Sequence, residues 1–460
     1  MKNRNIDMCE GPLFSKIVLY TIPIILTGVL QLLFNAADLV VVGRYCGSVS
    51  VAAVGATGAL INLIVNLFIG LSVGTGVKTA QAIGAGDMDA IHKTVHTSIP
   101  AALIAGIFLT IVGVIGSEYF LVLMGTPEDV LPLSSVYMRL YFCGITFTML
   151  YNFGAAILRA AGDTQGPLRY LTIAGVINVV LNLGFVLLLD MDVAGVALAT
   201  AISQAVSAIL VLLALIKRTD ACHLDLKQMH IDKTTLLGIM RIGIPSGLQS
   251  SLFSFSNVIL QSSVNSLGSV VMSGSSAAGN IEGFTYVAMN AFHQAGLNFT
   301  GQNVGANKYD RIGRIAFISL FCVTILGLIL GISSYAFGEQ LLSIYITDSA
   351  EAIHYGVNRL AIVAIPYFLC GLMDVMSGLI RGMGTAISPM IITLLGACGL
   401  RILWIYTVFP IPEYHTLECI FISYPLSWAI TFIALLVLFL VLYKSHKKKL
   451  SSETVVSLSN

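Results

Sequence analysis

Four polar side chains lie within strongly apolar segments and could together bind or carry a small cation. Asp38 occupies the middle of LLFNAADLVVV, Asn178 and Asn182 share a second apolar run, and Thr200 lies in a third. The two asparagines are four residues apart, which places them on one face of a helix. A carboxylate in such surroundings is desolvated, and it therefore favours uptake of a proton near neutral pH. With amide and hydroxyl oxygens beside it, Asp38 could instead ligate a sodium ion, or it could only accept hydrogen bonds that fix helix packing.

Other ionisable residues also lie deep in apolar segments, where a charge is costly and a functional role is the default expectation. Glu282 and Arg401 lie at similar depths and could form an ion pair, either as a structural lock or as part of a substrate or ion site. Asp374 either serves an inward-facing cavity or pairs with a basic residue at the cytoplasmic end of its span. Arg139 and Arg359 lie nearer the outer ends, and their long side chains are expected to extend outward to water.

Aromatic and methionine side chains supply candidate walls for a central cavity. Such walls suit a promiscuous site for lipophilic organic cations, through dispersion and through cation–π attraction. The predicted substrate contacts are Phe34, Tyr141, Met149, Phe153, Phe253, Tyr286 and Met289, together with the ionisable Asp38, Glu282, Asp374 and Arg401.

The elements that must position these residues are membrane-spanning helices. Hydrophobic residues make up 57% of the chain and charged residues only 10%, against about a quarter charged in soluble domains. Apolar runs long enough to cross a hydrocarbon core of roughly 30 Å recur along the chain, and helices satisfy their backbone groups internally. We therefore predict an all-α polytopic membrane protein. The twelve predicted spans are 13–43, 52–76, 92–117, 130–158, 168–189, 193–216, 236–268, 272–302, 312–338, 353–380, 388–410 and 416–443.

An internal repeat relates the two halves of the chain. The segment ILRAAGDTQGP at 157–167 returns as LIRGMGTAISP at 379–389, with the arginine, one glycine and the proline all displaced by the same offset along the chain. Two six-span lobes related by a repeat are typical of secondary transporters, whose substrate site lies between the halves. The predicted divisions are a cytoplasmic N-terminus at 1–12, an N-lobe at 13–216, a cytoplasmic linker at 217–235, a C-lobe at 236–443 and a basic cytoplasmic tail at 444–460.

The repeat also places a proline near the start of the first span of each lobe. Pro23 and Pro245 are separated by that same offset, and each is preceded by isoleucine. A proline inside a helix removes one backbone donor and crowds the preceding turn, which bends the helix. Both prolines are therefore candidate hinges, and static bends are the alternative.

The basic residues indicate which side of the membrane each loop faces. Lysine and arginine concentrate in alternate loops and in both terminal segments, whereas acidic residues dominate the opposite loops. By the positive-inside rule the basic face is cytoplasmic. We therefore expect a multi-pass protein of the plasma membrane, which in a bacterium is the cytoplasmic or inner membrane. Both termini are expected to lie in the cytoplasm.

Motifs typical of other function classes are missing from the sequence. We find no His-Glu-x-x-His pattern, no nucleophile with an adjacent base and no Gly-Tyr-Gly filter, so we expect neither an enzyme nor a channel. His92 and His96 have the spacing of metal ligands but no third ligand in view. We expect no cofactor, no metal site and no nucleic-acid partner, and a monomer surrounded by membrane lipids.

The order and spacing of these motifs resemble those of the multidrug and toxic compound extrusion family over residues 10–445. The likeness rests on Pro23 and Asp38 in the first span, on Asn178 in the fifth, and on the repeated turns described above. It is nearer to the branch with DinF-type and MepA-type exporters, because the aspartate of the first lobe is present. The resemblance implies a transporter that exchanges cytoplasmic organic cations for inward-moving protons or sodium ions.

The same resemblance implies roles for individual residues. Asp38 would be the coupling carboxylate, Asn178 and Thr200 would belong to the cation pocket, and bending at Pro23 would accompany its occupancy. The sequence departs from the family where many relatives have a second acid, because Asn182 stands there.

Two acids of the NorM-type branch are also replaced, by Phe253 and Cys370. With one carboxylate fewer, proton coupling is favoured over sodium coupling. Glu282 and Asp374 are then expected to carry part of the cation-binding role in the second lobe.

The alternative function ranks lower. It is a flippase of the same superfamily, acting on lipid-linked oligosaccharides or other lipids. Phosphate-bearing substrates need several deep basic residues, and only Arg401 is deep.

Overall fold

The computed structural model describes residues 5–347 and 349–459, apart from the side chains of Ser48, Ala59 and 449–459. Two predicted segments therefore lie partly outside the described residues. These are the cytoplasmic N-terminus, at residues 1–4, and the basic tail, at its last residue and at most of its side chains. The described residues form helices joined by short turns, with no strand among them. The predicted all-α architecture is confirmed.

Six long helices form the first half of the chain. Several extend well beyond the predicted spans, because their ends continue past the apolar core into polar turns. The second helix ends just before Gly86, which has a φ of 67°, a left-handed conformation that glycine adopts without strain. Asp87 then caps the third helix, because its side chain accepts a hydrogen bond from the amide of Ala90. These helices are α1 (Leu13–Tyr45), α2 (Ser48–Ala85), α3 (Met88–Leu123), α4 (Leu131–Ala160), α5 (Gln165–Leu188) and α6 (Asp192–Ile216).

The second half repeats this pattern with more irregular helices. They are α7 (Lys233–Asn265), α8 (Ser269–Gly305), α9 (Tyr309–Ala336), α10 (Ala350–Gly382), α11 (Ile387–Thr407) and α12 (Leu417–Ser459), with a short helix at Gly338–Ser343 before α10. Wider π-helical turns interrupt α10 at Leu360–Ala364 and α11 at Leu394–Gly399. Such turns occur frequently at functional sites.

Ten helices of the described chain are long and apolar enough to cross a bilayer, namely α1 to α6 and α9 to α12. The helices α7 and α8 have 33 and 37 residues, well above the roughly 20 that a bilayer requires. They are less apolar because serine, glycine and amide residues replace aliphatic ones along much of their length. Helices with small and polar residues are suited to close helix–helix packing in a membrane.

The chain divides into two compact units whose boundaries fall inside helices. The first unit contains Ile22–Ser251 and the described residues up to Asp7, and the second contains Met8–Thr21 and the chain from Leu252 onward. The start of α1 is therefore grouped with the second unit, and the start of α7 with the first. The sequence-based division placed each of these helices wholly in its own lobe.

Glycine packing explains why the start of α7 belongs to the first unit. A Cβ atom added at Gly70 of α2 would lie only 2.2 Å from the backbone nitrogen of Gly247 in α7, and one added at Gly74 would lie 2.2 Å from the carbonyl oxygen of Ile239. The two backbones approach so closely that only glycine fits. The start of α1 contacts the second unit through an aromatic pair: the rings of Tyr20 and Phe299 pack in a T-shaped arrangement, with centroids 5.4 Å apart.

We expect Gly70→Ala to lower the thermal unfolding midpoint of the detergent-purified protein, because the added methyl group must push α7 away. Overpacking of this kind costs about 1–3 kcal/mol. The matched control is Gly55→Ala on the same helix, where a Cβ meets nothing within 4 Å. Equal midpoints for the two variants would contradict the glycine contact.

The connection between α6 and α7, within the predicted linker at 217–235, is held by specific hydrogen bonds. Arg218 and Asp220 form an ion pair, and the amide of Asp225 donates to Nε2 of His96 at 3.0 Å. Asp232 caps α7 by accepting hydrogen bonds from the side chain of Thr234 and from the amide and side chain of Thr235, and these bonds hold the pKa of its carboxyl below the usual range. The connection is thus folded onto the first unit.

Candidate functional site

The four polar residues predicted as an ion site form one hydrogen-bonded network in the first unit. Asp38 lies on α1, Asn178 and Asn182 lie one turn apart on α5, and Thr200 lies on α6. The Asn182 amide donates to Asp38 Oδ1 and also lies 3.3 Å from Asn178 Oδ1. Thr200 Oγ1 lies 3.5 Å from Asp38 Oδ2, and the Asn178 amide donates to this hydroxyl at 3.3 Å. The consecutive helices α5 and α6 thus direct their polar groups to a carboxylate on α1, which is distant from them in sequence.

The network leaves the charge of Asp38 without compensation. Its hydrogen-bond partners are an amide and a hydroxyl, both neutral, and within the described residues no lysine, arginine or histidine forms an ion pair with it. Beside it, Oδ1 of the fully buried Asn182 accepts no hydrogen bond from any residue that the structure describes. A carboxylate and a free amide oxygen in one cluster are the donor set that binds a proton or a hard monovalent cation.

A small cavity of about 50 Å³ lies against this network. Its lining includes four residues that were predicted from the sequence, namely Phe34, Asp38, Asn178 and Thr200. Five further polar residues of the lining were not predicted: Gln31, Asn35, Ser203, Gln204 and Ser207. Helical spacing was the signal that could have found them, because Gln31 and Asn35 precede Asp38 by seven and three residues. The three residues on α6 follow Thr200 by three, four and seven.

Phe34 reaches the cavity because α5 carries a glycine opposite its ring. A Cβ atom at Gly175 would lie 1.8 Å from Cε2 of Phe34. The other predicted substrate contacts of this unit lie elsewhere. Met149 and Phe153 have no exposed surface and pack in the hydrophobic core of the unit, and Tyr141 stacks on a neighbouring tyrosine with ring centroids 6.4 Å apart. None of these three borders the cavity.

In the second unit the buried acid pairs with a different arginine from the one considered in the sequence. Glu282 forms a two-pronged ion pair with Arg359, with nitrogen–oxygen distances of 2.9 and 2.8 Å, and Arg359 also donates to Ser275 at 2.7 Å. The prediction of an ion pair between Glu282 and Arg401 is therefore wrong. The expectation that Arg359 extends outward to water is also wrong, because the residue is only 8% exposed. Arg359 turns inward because a carboxylate compensates its charge there, whereas the exposed Arg139 pairs with Glu118.

Arg401 lies instead within an aromatic cluster on α7, α11 and α12. The residue is 1% exposed, and its Nε donates to Oγ of Ser427 at 2.8 Å. The guanidinium carbon lies 4.3 Å from the ring centroid of Tyr424, 5.3 Å from that of Trp428 and 5.4 Å from that of Phe253. Cation–π contacts of this kind stabilise a desolvated guanidinium by about 2 kcal/mol. The predicted contact residue Phe253 thus packs on Arg401.

Asp374 lies half-buried on α10. Its backbone carbonyl is 2.7 Å from Nδ1 of His293, and the charge that acts on its carboxylate is that of Arg381, two turns further along the helix. This arrangement fits the pairing with a basic residue at the end of the span. The predicted contact Met289 is fully buried, whereas Tyr286 on the same helix is 43% exposed.

Neither candidate hinge interrupts its helix. Pro23 lies inside the continuous α1 and Pro245 inside the continuous α7. The hydroxyl of Thr27 donates to the carbonyl of Pro23 at 2.7 Å. The boundary between the two units crosses α1 immediately before Pro23, between Thr21 and Ile22. Their role as hinges stays a prediction.

Two further features lie apart from these clusters. An open surface hollow of about 570 Å³ adjoins the helix Gly338–Ser343 and the start of α10, and it contains none of the predicted site residues. The His92 and His96 rings stack with centroids 3.8 Å apart, and both ring nitrogens of His96 have hydrogen-bonding partners within the protein. In the part of the chain that the structure describes, no three potential ligands could hold a metal ion.

A multi-pass membrane protein with two halves of matching helices and with polar clusters inside each unit has the architecture of a secondary transporter. The model of the MatE family matches residues 23–183 and again residues 245–407, so one match covers each half of the repeat. The chain therefore belongs to the MatE family of multidrug efflux transporters, and it is not an enzyme. The two matches begin at Pro23 and at Pro245, the equivalent prolines of the two halves, which confirms the internal duplication.

Known proteins agree with this assignment. The chain is 28% identical over 422 residues to the probable multidrug resistance protein YoeA of Bacillus subtilis, covering 90% of each chain. It is 20% identical over 397 residues to the multidrug export protein MepA of Staphylococcus aureus, covering 86% of this chain and 88% of MepA. A crystal structure of MATE in complex with MaL6 superimposes with a TM-score of 0.91 at 22% identity, covering 97% of this chain and all of the other.

Proposed function

We propose that this chain is a secondary active antiporter that exports lipophilic organic cations in exchange for protons by alternating access. The observation that carries the proposal is the carboxylate of Asp38, which has only neutral hydrogen-bond partners among the described residues and lies beside a free amide oxygen of Asn182. Such a group gains or loses a proton at modest cost and changes the charge of its cavity when it does so.

In the proposed cycle, proton and substrate compete for the charge of Asp38. The ionised carboxylate attracts an organic cation, and protonation removes that attraction and favours release to the outside. Deprotonation towards the cytoplasm then resets the carrier. The cycle requires differential binding in two states, and bending of α1 at Pro23 and of α7 at Pro245 is the proposed movement between them.

The coupling ion follows from the number of carboxylates. Two acids in one pocket would favour a sodium ion, whereas this network has a single acid with amide and hydroxyl neighbours, which favours a proton. Sodium is the alternative ion, and its ligands would be oxygens of Asp38, Asn178, Asn182 and Thr200. These oxygen atoms are hard donors of the kind that alkali and alkaline-earth ions prefer.

The substrate class follows from the side chains around the polar groups and from the relatives. Phe34 and Asp38 line the same cavity of about 50 Å³. We propose that this cavity widens during the transport cycle, so that a flat organic cation meets an aromatic ring and a carboxylate together. YoeA is named a probable multidrug resistance protein and MepA a multidrug export protein. In the second unit we propose Phe253, Tyr286 and Asp374 as supporting contacts.

We further propose that the protein is a monomer in the bacterial cytoplasmic membrane with both termini in the cytoplasm, as the distribution of basic residues indicates. A flippase for lipid-linked oligosaccharides is the weaker alternative. Its phosphate-bearing substrates would need several uncompensated cations, and Arg359 is neutralised by Glu282.

The test uses purified protein in liposomes loaded with ethidium, with a proton gradient and a sodium gradient imposed separately. We expect the proton gradient to drive saturable ethidium movement against its concentration gradient, and the sodium gradient at equal pH to give the rate of protein-free liposomes. Drive by sodium alone would reverse the assignment of the coupling ion. Movement under neither gradient, with liposomes shown to hold both, would contradict the antiport proposal.

A further inference from the structure

We propose that the second unit contains a binding site for a small anion, formed by the side chains of Arg401 and Trp428. The ligand is a monovalent anion that accepts N–H hydrogen bonds, either a halide ion or the carboxylate of a small molecule. This site is distinct from the cavity at Asp38, and it goes beyond the proposed export of cations.

The charge of Arg401 has no ionic partner among the described residues. The guanidinium is 1% exposed, and none of the ion pairs among the described residues includes it. Glu282, the acid that the sequence suggested as its partner, already uses both carboxylate oxygens on Arg359. A buried charge without a counterion is expensive, so charged residues at membrane depth normally have an ionic partner. An anion from solution would supply that partner.

Two N–H donors in this cluster are unused. Nη2 of Arg401 and Nε1 of Trp428 are both buried and have no hydrogen-bond partner among the described residues. The large majority of buried polar atoms in proteins are bonded, so two orphan donors in one cluster indicate a missing acceptor. The only other tryptophan in the sequence behaves normally, because Nε1 of Trp404 donates to the carbonyl of Cys419 at 2.9 Å.

The surrounding contacts explain how the guanidinium is kept ready for an acceptor. Tyr424 and Trp428 pack on Arg401 through cation–π contacts, and Ser427 holds Nε. An arginine fixed in this way is preorganised, and it presents its remaining N–H groups in one plane. Arg401 follows the π-helical turn at Leu394–Gly399 by two residues, and such turns commonly occur where a helix serves a site.

The chemistry favours an anion over a water molecule as the occupant. Water could accept both hydrogen bonds, but it would leave the charge of the guanidinium uncompensated. A halide or a carboxylate satisfies the donors and the charge together. Trp428 is only 2% exposed, so we infer a small anion of a few atoms rather than a lipid headgroup.

Tryptophan fluorescence can test the site directly, because the chain contains only Trp404 and Trp428. In the full-length Trp404→Phe variant, purified in detergent, the emission reports on Trp428 alone. Bromide, a heavy-atom quencher, is titrated at constant ionic strength. We expect a saturable quenching component that chloride, which does not quench, removes by competition. Purely linear quenching would overturn the proposal.

Two substitutions connect the signal to the proposed ligands. Arg401→Met in the Trp404→Phe background removes the charge but keeps a stem of similar shape, and we expect its bromide Kd to rise at least about tenfold. An unchanged Kd would overturn the proposal.

Should Arg401→Met fail to fold, Trp428→Phe is compared with the unsubstituted protein by thermal unfolding in chloride. It keeps the ring but loses the donor, so the chloride-dependent rise of the midpoint should shrink, and an undiminished rise would overturn the site.

Competition by acetate separates the two sources of the ligand. Displacement of bromide by chloride and acetate alike supports a site for the shared acceptor chemistry. Displacement by chloride alone supports a halide site, and displacement by neither would overturn the proposal. The measurement needs no ion gradient and no organic cation, so its failure would leave the antiport proposal intact, and failure of antiport would leave the anion site intact.

Discussion

Asp38→Asn is expected to abolish ethidium export driven by a proton gradient, reducing it to the rate of protein-free liposomes. Asparagine has nearly the same shape as aspartate and can hydrogen-bond to the side chains of Asn182 and Thr200, so the network and the fold should persist. It cannot take up a proton, and it cannot provide the negative charge that a cation requires. Coupling and cation attraction are therefore lost together.

The matched control is Asp190→Asn, which removes an equivalent charge from the exposed turn between α5 and α6. The φ of Asp190 is 50°, a left-handed conformation that asparagine tolerates well. We expect this variant to export ethidium at the parent rate. Normal pH-driven export by Asp38→Asn, at equal protein incorporation and with an unchanged unfolding midpoint, would remove Asp38 from the mechanism.

The second large effect is expected from the buried ion pair of the second unit. Glu282→Gln leaves the guanidinium of Arg359 buried without its counterion, because the neutral amide of glutamine supplies no negative charge. Breaking a buried pair by removing one partner costs about 3–5 kcal/mol. We expect a marked fall of the thermal unfolding midpoint in detergent.

Two comparisons show whether burial is the cause. Glu118→Gln breaks the exposed pair with Arg139, which has a similar nitrogen–oxygen distance of 2.9 Å, and it should cost at most about 1 kcal/mol. The double variant Glu282→Leu with Arg359→Met removes both buried charges and should recover most of the lost stability. If Glu282→Gln is no worse than Glu118→Gln, the pair does not hold the second unit together.

Local sequence patterns were sufficient for the polar cluster of the first unit. Asn178 and Asn182 share a helix face whatever the fold, and Asp38 and Thr200 were grouped with them because each is a polar side chain inside a strongly apolar segment. The asparagines and Thr200 lie on the consecutive helices α5 and α6, and Asp38 joins them from α1. Gln204 was missed although it follows Thr200 by one turn, because a glutamine has no distinctive chemistry outside a cavity.

The second unit could not be predicted in this way, because two arginines on different helices compete for the one buried carboxylate of Glu282. Depth alone favoured Arg401 as its partner, since Arg359 lies nearer the outer end of its span, but the structure pairs Glu282 with Arg359. The choice depends on rotation of α10 and α11 about their axes, and each helix contains a π-helical turn that changes that rotation. No hydrophobic period in the sequence marks such turns.

The sequence by itself determined that this protein is a duplicated bundle of membrane helices. An apolar run of sufficient length must form a helix in a bilayer, because its backbone has no other hydrogen-bond partners, and a repeat that extends over half the chain must fold twice. Only the tertiary structure decided which charges meet. It paired Glu282 with Arg359 and left Arg401 among aromatic rings, with no counterion in the part of the chain that the structure describes. Ion pairing at membrane depth depends on a few ångströms and on the rotation of packed helices, and the order of residues does not fix either of them.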